Sequence, residues 1–482
     1  MIAGDTTRRE ITMRMQNADP VWDLVDAKRE PFEALADRIF DAPEIAYTER
    51  RAVAEHTAML RAQGFRVTEA VAGIPTAVVG EWGEGGPVIA ILGEYDALPA
   101  LSQQPGVATH SPVEEGGHGH GCGHNLLGSA AILAATAVRD WLEAEGIPGR
   151  VRYYGCPAEE GGAAKTYMVR DGLFADVDAA ISWHPFSYTG VDPARSLANT
   201  RIDFTFHGKA AHAAGAPELG RSALDAVELM NIGVNYMREH MPDDARVHYA
   251  YLDAGGIAPN VVPARATVRQ LIRARDLAGL ADLVARVRAI ADGAALMTGT
   301  RVESRVHSAV SNLVGNRPLE EAMQRVLDGL GPVPFDAADR AFAEEIRATL
   351  SREDIAAAFR DMGRKPDYAL PLCDTVLPLD RPTLGGMGST DVGDVSWAVP
   401  TVQARVATCA VGTPLHTWQM TAQGKAPAAH KGMTHAAKAM AGLARTLFAD
   451  ESLRRAAAEA HAAHLAETPY SCPIPPETRP PV

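Results

Sequence analysis

Cysteine is scarce in this chain. Five occur among 482 residues, at positions 122, 156, 373, 409 and 472. An odd, scattered set does not build a disulfide framework, so most of these thiols are expected to be buried small hydrophobes. Long apolar runs are missing too: none reaches the roughly 20 residues that a membrane-spanning helix needs. The N-terminal MIAGDTTRREITMRMQNADP is polar and has no apolar signal segment, so the expected compartment is the cytoplasm, with no membrane partner. Lys and Arg number 46 against 60 Asp and Glu, a net charge of -14, and they form no long basic block. That excludes an electrostatic nucleic-acid surface. Also absent are a GxSxG elbow, an HExxH helix and a GxGxxG loop, so serine hydrolases of that type, zincins and dinucleotide binders lose ground.

What is present is ordinary globular material, 46% hydrophobic and 22% charged. The length exceeds one compact core, so two or more domains are expected. Residues 32–64 carry helical periodicity broken at Pro43. FRVTEAV, TAVVGEW and PVIAILGEYDALP read as strands, NLLGSAAILAATAVRDWLEAEG as a helix, RVRYYGC as a strand, MVRDGLF as a helix and VDAAISWHP as a strand. Strands alternating with helices predict an α/β fold with a mixed, mostly parallel sheet flanked by helices. From about Ser196 the texture changes to a compact α+β unit. RIDFTFHGKAAHA, VHYAYLDAGG, ATVRQLIRARD and TRVESRVHSAV are its strands, and residues 222–241 and 277–297 its helices. After residue 313 the first texture returns. The expected division is 1–197 and 314–482 for the first domain, with 198–313 inserted into it. No internal repeat or low-complexity tract is found.

The chemistry begins at HGHGCGH, residues 118–124. On an extended segment residues two apart share a face, so His118, His120, Cys122 and His124 are expected to face one pocket. The intervening glycines allow close backbone approach. Imidazole and thiolate are ligands for zinc and related metals. Set against a merely His-rich surface loop, the spacing favours metal binding. Other strand ends supply partners: Glu94-Tyr95-Asp96 in GEYDALP, Glu159 and Glu160 in CPAEEGG, and His184 in ISWHP. Neighbouring carboxylates on an extended chain point opposite ways, so one can bind metal while the other serves as a base. The acidic pair alone would read as a solvated turn. Four successive strand ends bearing Asp, Cys/His, Glu/Glu and His are more telling, because the open ends of a parallel sheet converge.

Taken in order, GEYDALP, GCGHN, PAEEGG, ISWHP, GKAAHA, GGIAPNVVP and PLHTWQ resemble the M20 family of metallopeptidases and amidohydrolases, from about Val25 to His435. The likeness is greatest to the family's D branch, which holds aminoacylases, auxin-conjugate hydrolases and p-aminobenzoyl-glutamate hydrolases. AHAAGAPELGRSALDAVELMNIGVNYMREHM, PLHTWQ and HKGM carry the likeness to the last group. The resemblance implies a catalytic domain split by an inserted lid through which subunits form a homodimer, and it leaves open a related partner subunit. It implies two divalent metal ions, Zn or Mn with Ni or Co as alternatives, held by Cys122, His124, Glu160, His184 and His416. Glu159 would be the general base, and Asp96 would orient a ligand. His120 would support the site, and His118 would be a polar loop residue. His212 would stabilise the oxyanion from the lid of the neighbouring subunit, although Pro217 follows it by five residues where the family commonly has four. Asn260 and Arg273 match positions that bind the substrate carboxylate; for Arg273 a plain surface-strand role weighs equally. Residues 331–383, which shorter aminoacylases lack, are expected to wall the pocket, and Asp391 in MGSTDVGDVSW to contact or position substrate.

The implied reaction is hydrolysis of the amide bond of an N-acyl or N-aroyl amino acid, such as p-aminobenzoyl-glutamate, that carries a free carboxylate. A dipeptidase or auxin-conjugate hydrolase of the same fold, and a non-catalytic metal-binding subunit, are the alternatives. The retained Glu159–Glu160 pair argues against the last, since a pure binder needs no base.

Overall fold

The computed structural model describes residues 19–382 and 388–482. The polar N-terminal stretch up to residue 18, Thr383 of the 331–383 region and Met387 of MGSTDVGDVSW lie outside the described residues.

Eleven strands are named among the described residues: β1 (Arg66–Glu69), β2 (Val78–Glu84), β3 (Val88–Glu94), β4 (Gly149–Cys156), β5 (Ala179–Phe186), β6 (Gly190–Val191), β7 (Ala198–His207), β8 (Arg246–Asp253), β9 (Arg265–Ala274), β10 (Arg301–Val310) and β11 (Thr401–Ala407). Seven form a mixed sheet in the order β1-β2-β4-β3-β5-β11-β6. Its four central strands, β4-β3-β5-β11, run parallel. The flanking pairings are antiparallel.

The central strand β3 explains why the sheet is covered on both sides. All of VIAILGE is buried. Ile89 and Ile91 point into the core shared with the helices Pro20–Phe40, His124–Glu145 and Pro427–Ala449. Val88, Ala90 and Leu92 point the other way, onto Met168, Phe174, Val392 and Val395. A strand buried at every position, apolar from Val88 to Leu92, suits the middle of a parallel sheet. The helix after β3, His124–Glu145, is buried along most of its length, as its small and apolar composition requires.

The second sheet has the order β10-β7-β9-β8, all antiparallel. On β7 the even-numbered residues Ile202, Phe204 and Phe206 pack beneath helices Ala223–Met237 and Leu277–Thr298. The odd-numbered Arg201, Asp203 and Thr205 face away. Both helices begin where their sequence provides a cap, with Ser222 accepting from the Asp225 amide and Asp276 from that of Gly279.

Two expectations shift. The helix expected at MVRDGLF runs instead over Ala164–Arg170 and stops at Asp171-Gly172, where Gly172 takes a φ of 81°. The periodicity of 32–64 is two helices, Pro20–Phe40 and Arg50–Ala62, and the first starts earlier because Asp19 caps it and Pro20 occupies its first turn. Residues 331–382 form helices Ala337–Arg347 and Arg352–Asp361, each opened by a capping box. They then run back to the loop after β5, where the Leu377 amide donates to Thr189 O and Arg381 to the Tyr188 hydroxyl. Among the described residues no helix is long and apolar enough to cross a membrane.

Candidate metal centre

The carboxyl ends of the parallel strands converge on one place, and each brings a donor. β3 ends in Glu94, and Asp96 follows on the same face because residues two apart share a side; Tyr95 between them is buried and donates to Thr76 O. His124 opens the helix after β3. Gly123, just before it, has a φ of 77°, and a Cβ there would lie 3.0 Å from Pro185, so only glycine fits. β4 leads to Glu159 and Glu160 on a loop with left-handed residues at Ala158 and Ala163. β5 carries His184. The loop after β11 carries His416, itself left-handed at a φ of 60°, with its amide bonded to Gly121 O. A non-glycine residue in this region marks a constrained position.

The donors fall into groups within 4.8 Å: Cys122, His124 and His184; Cys122, Glu160 and His416; and Glu94, His124 and Glu159. The five residues named as ligands by resemblance thus make two triplets that share Cys122. Cys122 Sγ lies 3.4 Å from His184 Nε2, and Glu160 Oε2 lies 3.3 Å from His416 Nε2. Asp96 sits behind them. Its Oδ1 is 2.9 Å from His124 Nδ1, and its Oδ2 accepts the Glu160 amide at 2.9 Å. One carboxylate therefore turns His124 Nε2 toward the cleft and fixes the acidic loop.

The electrostatics separate the adjacent glutamates. Burial, and then the charges of Glu94, Glu160 and Asp391, raise Glu159 well above the usual carboxylate range. Glu160 feels burial as well, but the hydrogen bond with His416 and the charge of His124 outweigh it and hold Glu160 down at about 2. Burial raises the Cys122 thiol and lowers His184 to about 4. His124 Nε2 and Glu160 Oε1 are buried without a hydrogen-bond partner. A buried thiol among imidazoles and carboxylates, with Glu160 Oε1 unpartnered and His124 Nε2 facing Glu94 Oε2 at 3.3 Å, fits divalent metal ions.

The four-in-a-row expectation needs correction. HGHGCGH is not extended throughout: the chain turns at Gly121–Cys122 and enters a helix at His124. His118 lines a different cavity, beside Glu114 and Asp41. His120 is buried, with Nε2 on Ile39 O and its ring near Phe40. Only Cys122 and His124 join the cluster.

The cleft holds about 290 Å³ and has Cys122, Glu159, Glu160, His184 and His416 on its wall. Farther along, Phe186, Tyr188, Arg405, Asp192 and Asp361 continue it, with Arg405 stacked 4.2 Å over Phe186. Asp361 belongs to the 331–383 region, which does contribute to the wall. Arg273 Nη1 donates to Ser389 Oγ at 3.0 Å, and Ser389 lines the cleft. His212 and Asn260 are exposed side by side, where the Ala213 amide meets Asn260 O, and neither lines the cleft of its own chain. Asp391 does not contact the cleft. It is fully buried and binds Lys165 Nζ at 2.6 Å, and Lys165 binds Glu94 at 2.6 Å. The sequence marked Glu94, in the Glu94-Tyr95-Asp96 loop, as a partner of the site and Asp391 as a substrate contact, but nothing marked Lys165, which joins them behind His124.

Donors carried to the carboxyl edge of a parallel sheet and gathered around one shared thiol define a class, the metal-dependent α/β hydrolases. The family model of peptidase family M20/M25/M40 matches residues 90–363. The chain is 47% identical over 470 residues to the B subunit of p-aminobenzoyl-glutamate hydrolase from Escherichia coli (strain K12), covering 95% of this chain and 97% of that one. The chain belongs to peptidase family M20/M25/M40, and it is an amidohydrolase. In fold it is similar to the aminobenzoyl-glutamate utilization protein from Klebsiella pneumoniae, with a TM-score of 0.60 at 17% identity over 88% of this chain and 97% of that one. It is likewise similar to a dinuclear metal binding peptidase of the M20 family from Bacillus subtilis, with a TM-score of 0.56 at 17% identity over 88% and 99%.

Proposed function

We propose that this chain hydrolyses the amide bond of N-aroyl or N-acyl amino acids bearing a free carboxylate, with p-aminobenzoyl-glutamate as the first substrate to test. The observation that carries the reading is the pair of donor triplets sharing Cys122 with Glu159 beside them in one cleft. The likeness to the Escherichia coli hydrolase supports the substrate. Two divalent ions, Zn or Mn, would be held by Cys122, His124 and His184 and by Cys122, Glu160 and His416. When bound, such ions polarise a scissile carbonyl and acidify a water.

The chain's own residues do the rest. Glu159, on the cleft wall beside both triplets, takes a proton from the attacking water at its carboxylate and returns it to the leaving amine nitrogen. Asp96 keeps His124 and the Glu160 loop in place. Arg273, through Ser389, borders the place for the substrate carboxylate. Phe186, Tyr188 and Arg405 give the far end an aromatic and cationic wall suited to an aryl acyl group.

His212 and Asn260 complete the site of a second copy of the chain. Their exposure on the loops after β7 and β8, away from their own cleft, supports that role, as does the open edge strand β8 with Tyr249, Tyr251 and Leu252 exposed. The unit 198–313 then acts as lid and homodimer surface. The lettered name of the Escherichia coli relative, a B subunit, supports a related partner chain as the other assembly. The cytoplasm suits such an enzyme.

The test is a substrate panel: p-aminobenzoyl-glutamate, N-acetyl and N-benzoyl amino acids, indole-acetyl-aspartate and a β-alanyl dipeptide. Each is assayed after chelation and after reloading with Mn or Zn. Metal-dependent turnover with the aroyl glutamate preferred is the expected outcome. Equal turnover of the dipeptide would move the substrate class, and no metal uptake would overturn the reading.

A further inference from the structure

Arg201 lies on β7, on the face turned away from the helices of the second sheet. Its Nη1 donates to Gly161 O at 2.8 Å and its Nη2 to Glu160 O at 3.3 Å. Those carbonyls belong to the loop that carries Glu159 and Glu160. Its two arginine neighbours are engaged elsewhere: Arg269 pairs with Asp203 through both carboxylate oxygens, and Arg273 holds Ser389. From the catalytic side the same loop is gripped by Glu49 on the Ala158 amide, Asp96 on the Glu160 amide and Tyr47 on Gly162 O. Among the described residues, Arg201 is the side chain of the second sheet bonded to it.

Gly161 reports the same contact independently. A Cβ at that position would lie 2.7 Å from Arg201 Nη1. Gly161 leaves room for the guanidinium and Gly162 for the Tyr47 ring, and neither has a positive φ.

We propose that Arg201 is a positioning residue, a latch that ties the placement of the Glu159–Glu160 loop to the seating of the second sheet. This rests on the amidohydrolase reading above. The guanidinium contributes two directed bonds to peptide carbonyls, so it fixes where the loop's backbone lies without touching substrate. If the second sheet moves against the catalytic sheet, the pull reaches Glu159 through one residue of backbone. A misplacement of about 1 Å at a reacting group can cost roughly 100-fold in rate. The base would then be aligned only when the second sheet is seated.

The test uses the full chain loaded with Mn, with p-aminobenzoyl-glutamate as probe. Arg201→Gln is expected to lower kcat by roughly 10- to 100-fold, with KM within about twofold and Mn content equal to wild type. Arg201→Lys, which keeps the charge and one donor, should recover part of the loss. Gly161→Ala should push the guanidinium aside and lower kcat in the wild-type background, yet cost nothing further beside Arg201→Gln. Hydrogen exchange of the 158–163 amides, read without turnover, should rise in Arg201→Gln and Gly161→Ala. A raised KM with unchanged kcat would make Arg201 a substrate residue and overturn the latch, as would additive losses or unchanged exchange. Lost Mn would also overturn it, by showing that the arginine merely holds a ligand. Wild-type inactivity would strike the amidohydrolase reading alone, because the exchange measurement still decides the latch.

Discussion

Cys122 and His124 are enclosed, with 5% and 0% of their surfaces exposed. His212 and Asn260 stand in the open on the loops that follow β7 and β8. The enclosed residues are fixed by core packing: the helix that begins at His124 is buried through most of its turns, and β3 beside it is buried on both faces. The open residues are fixed by an isolated bridge between His212 and Val261 and by a few loop hydrogen bonds. On the proposed reading, one chain gathers the donors for metal and an acid-base glutamate in its own cleft, and its exposed histidine would serve another copy. The contrast teaches which functions a single chain can satisfy and which need assembly.

The largest effect expected from breaking the enclosed side is loss of proton transfer: Glu159→Gln should cost roughly 100- to 10,000-fold in kcat while the metal content stays at the wild-type value. Cys122→Ser removes the donor common to both triplets. Metal analysis after gel filtration should find both ions depleted, and the protein should lose the stabilisation that Mn gives wild type, about 2.7 kcal/mol per ion at metal 100-fold above Kd. Behind the site, Lys165→Met leaves Glu94 and Asp391 buried without their cation. Breaking such a chain costs about 3–5 kcal/mol, read by denaturant midpoint in the metal-free protein.

On the open side the expected effects on the chain itself are small. His212→Ala should leave stability within about 0.5 kcal/mol yet remove activity, and mixing it with Glu159→Gln should restore turnover, because one hybrid cleft then receives both intact groups. If the histidine served its own cleft, the mixture would stay inactive. Tyr251→Lys on the edge strand should separate subunits by sedimentation with little change in folding stability.

Much of the fold was legible in the sequence because its signals are local. The apolar run Val88–Leu92 of β3, the small-residue helix after it and the alternation of β7 each announce burial on their own. That Cys122, His124, Glu160, His184 and His416 would cluster was legible because they sit near strand ends in recognisable phrases. What could not be read depends on register and chain direction. Parity along HGHGCGH suggested one shared face, and a turn at Gly121 with a helix start at His124 sent His118 and His120 elsewhere. Asp391 looked like a pocket acid, but its partner Lys165 is distant in sequence and only the packing brings them together. Arg201 is an arginine on an alternating strand, indistinguishable from a solvated one until β7 is placed over the Glu160–Gly161 carbonyls.

The most direct measurement is the hydrolysis of p-aminobenzoyl-glutamate by wild type and Glu159→Gln, each stripped with chelator, reloaded with Mn and assayed for bound metal in the same samples. The account predicts equal metal in both proteins, turnover in the wild type that disappears with chelation and returns with Mn, and almost none in the variant. Wild-type-like turnover by the metal-loaded variant would contradict it.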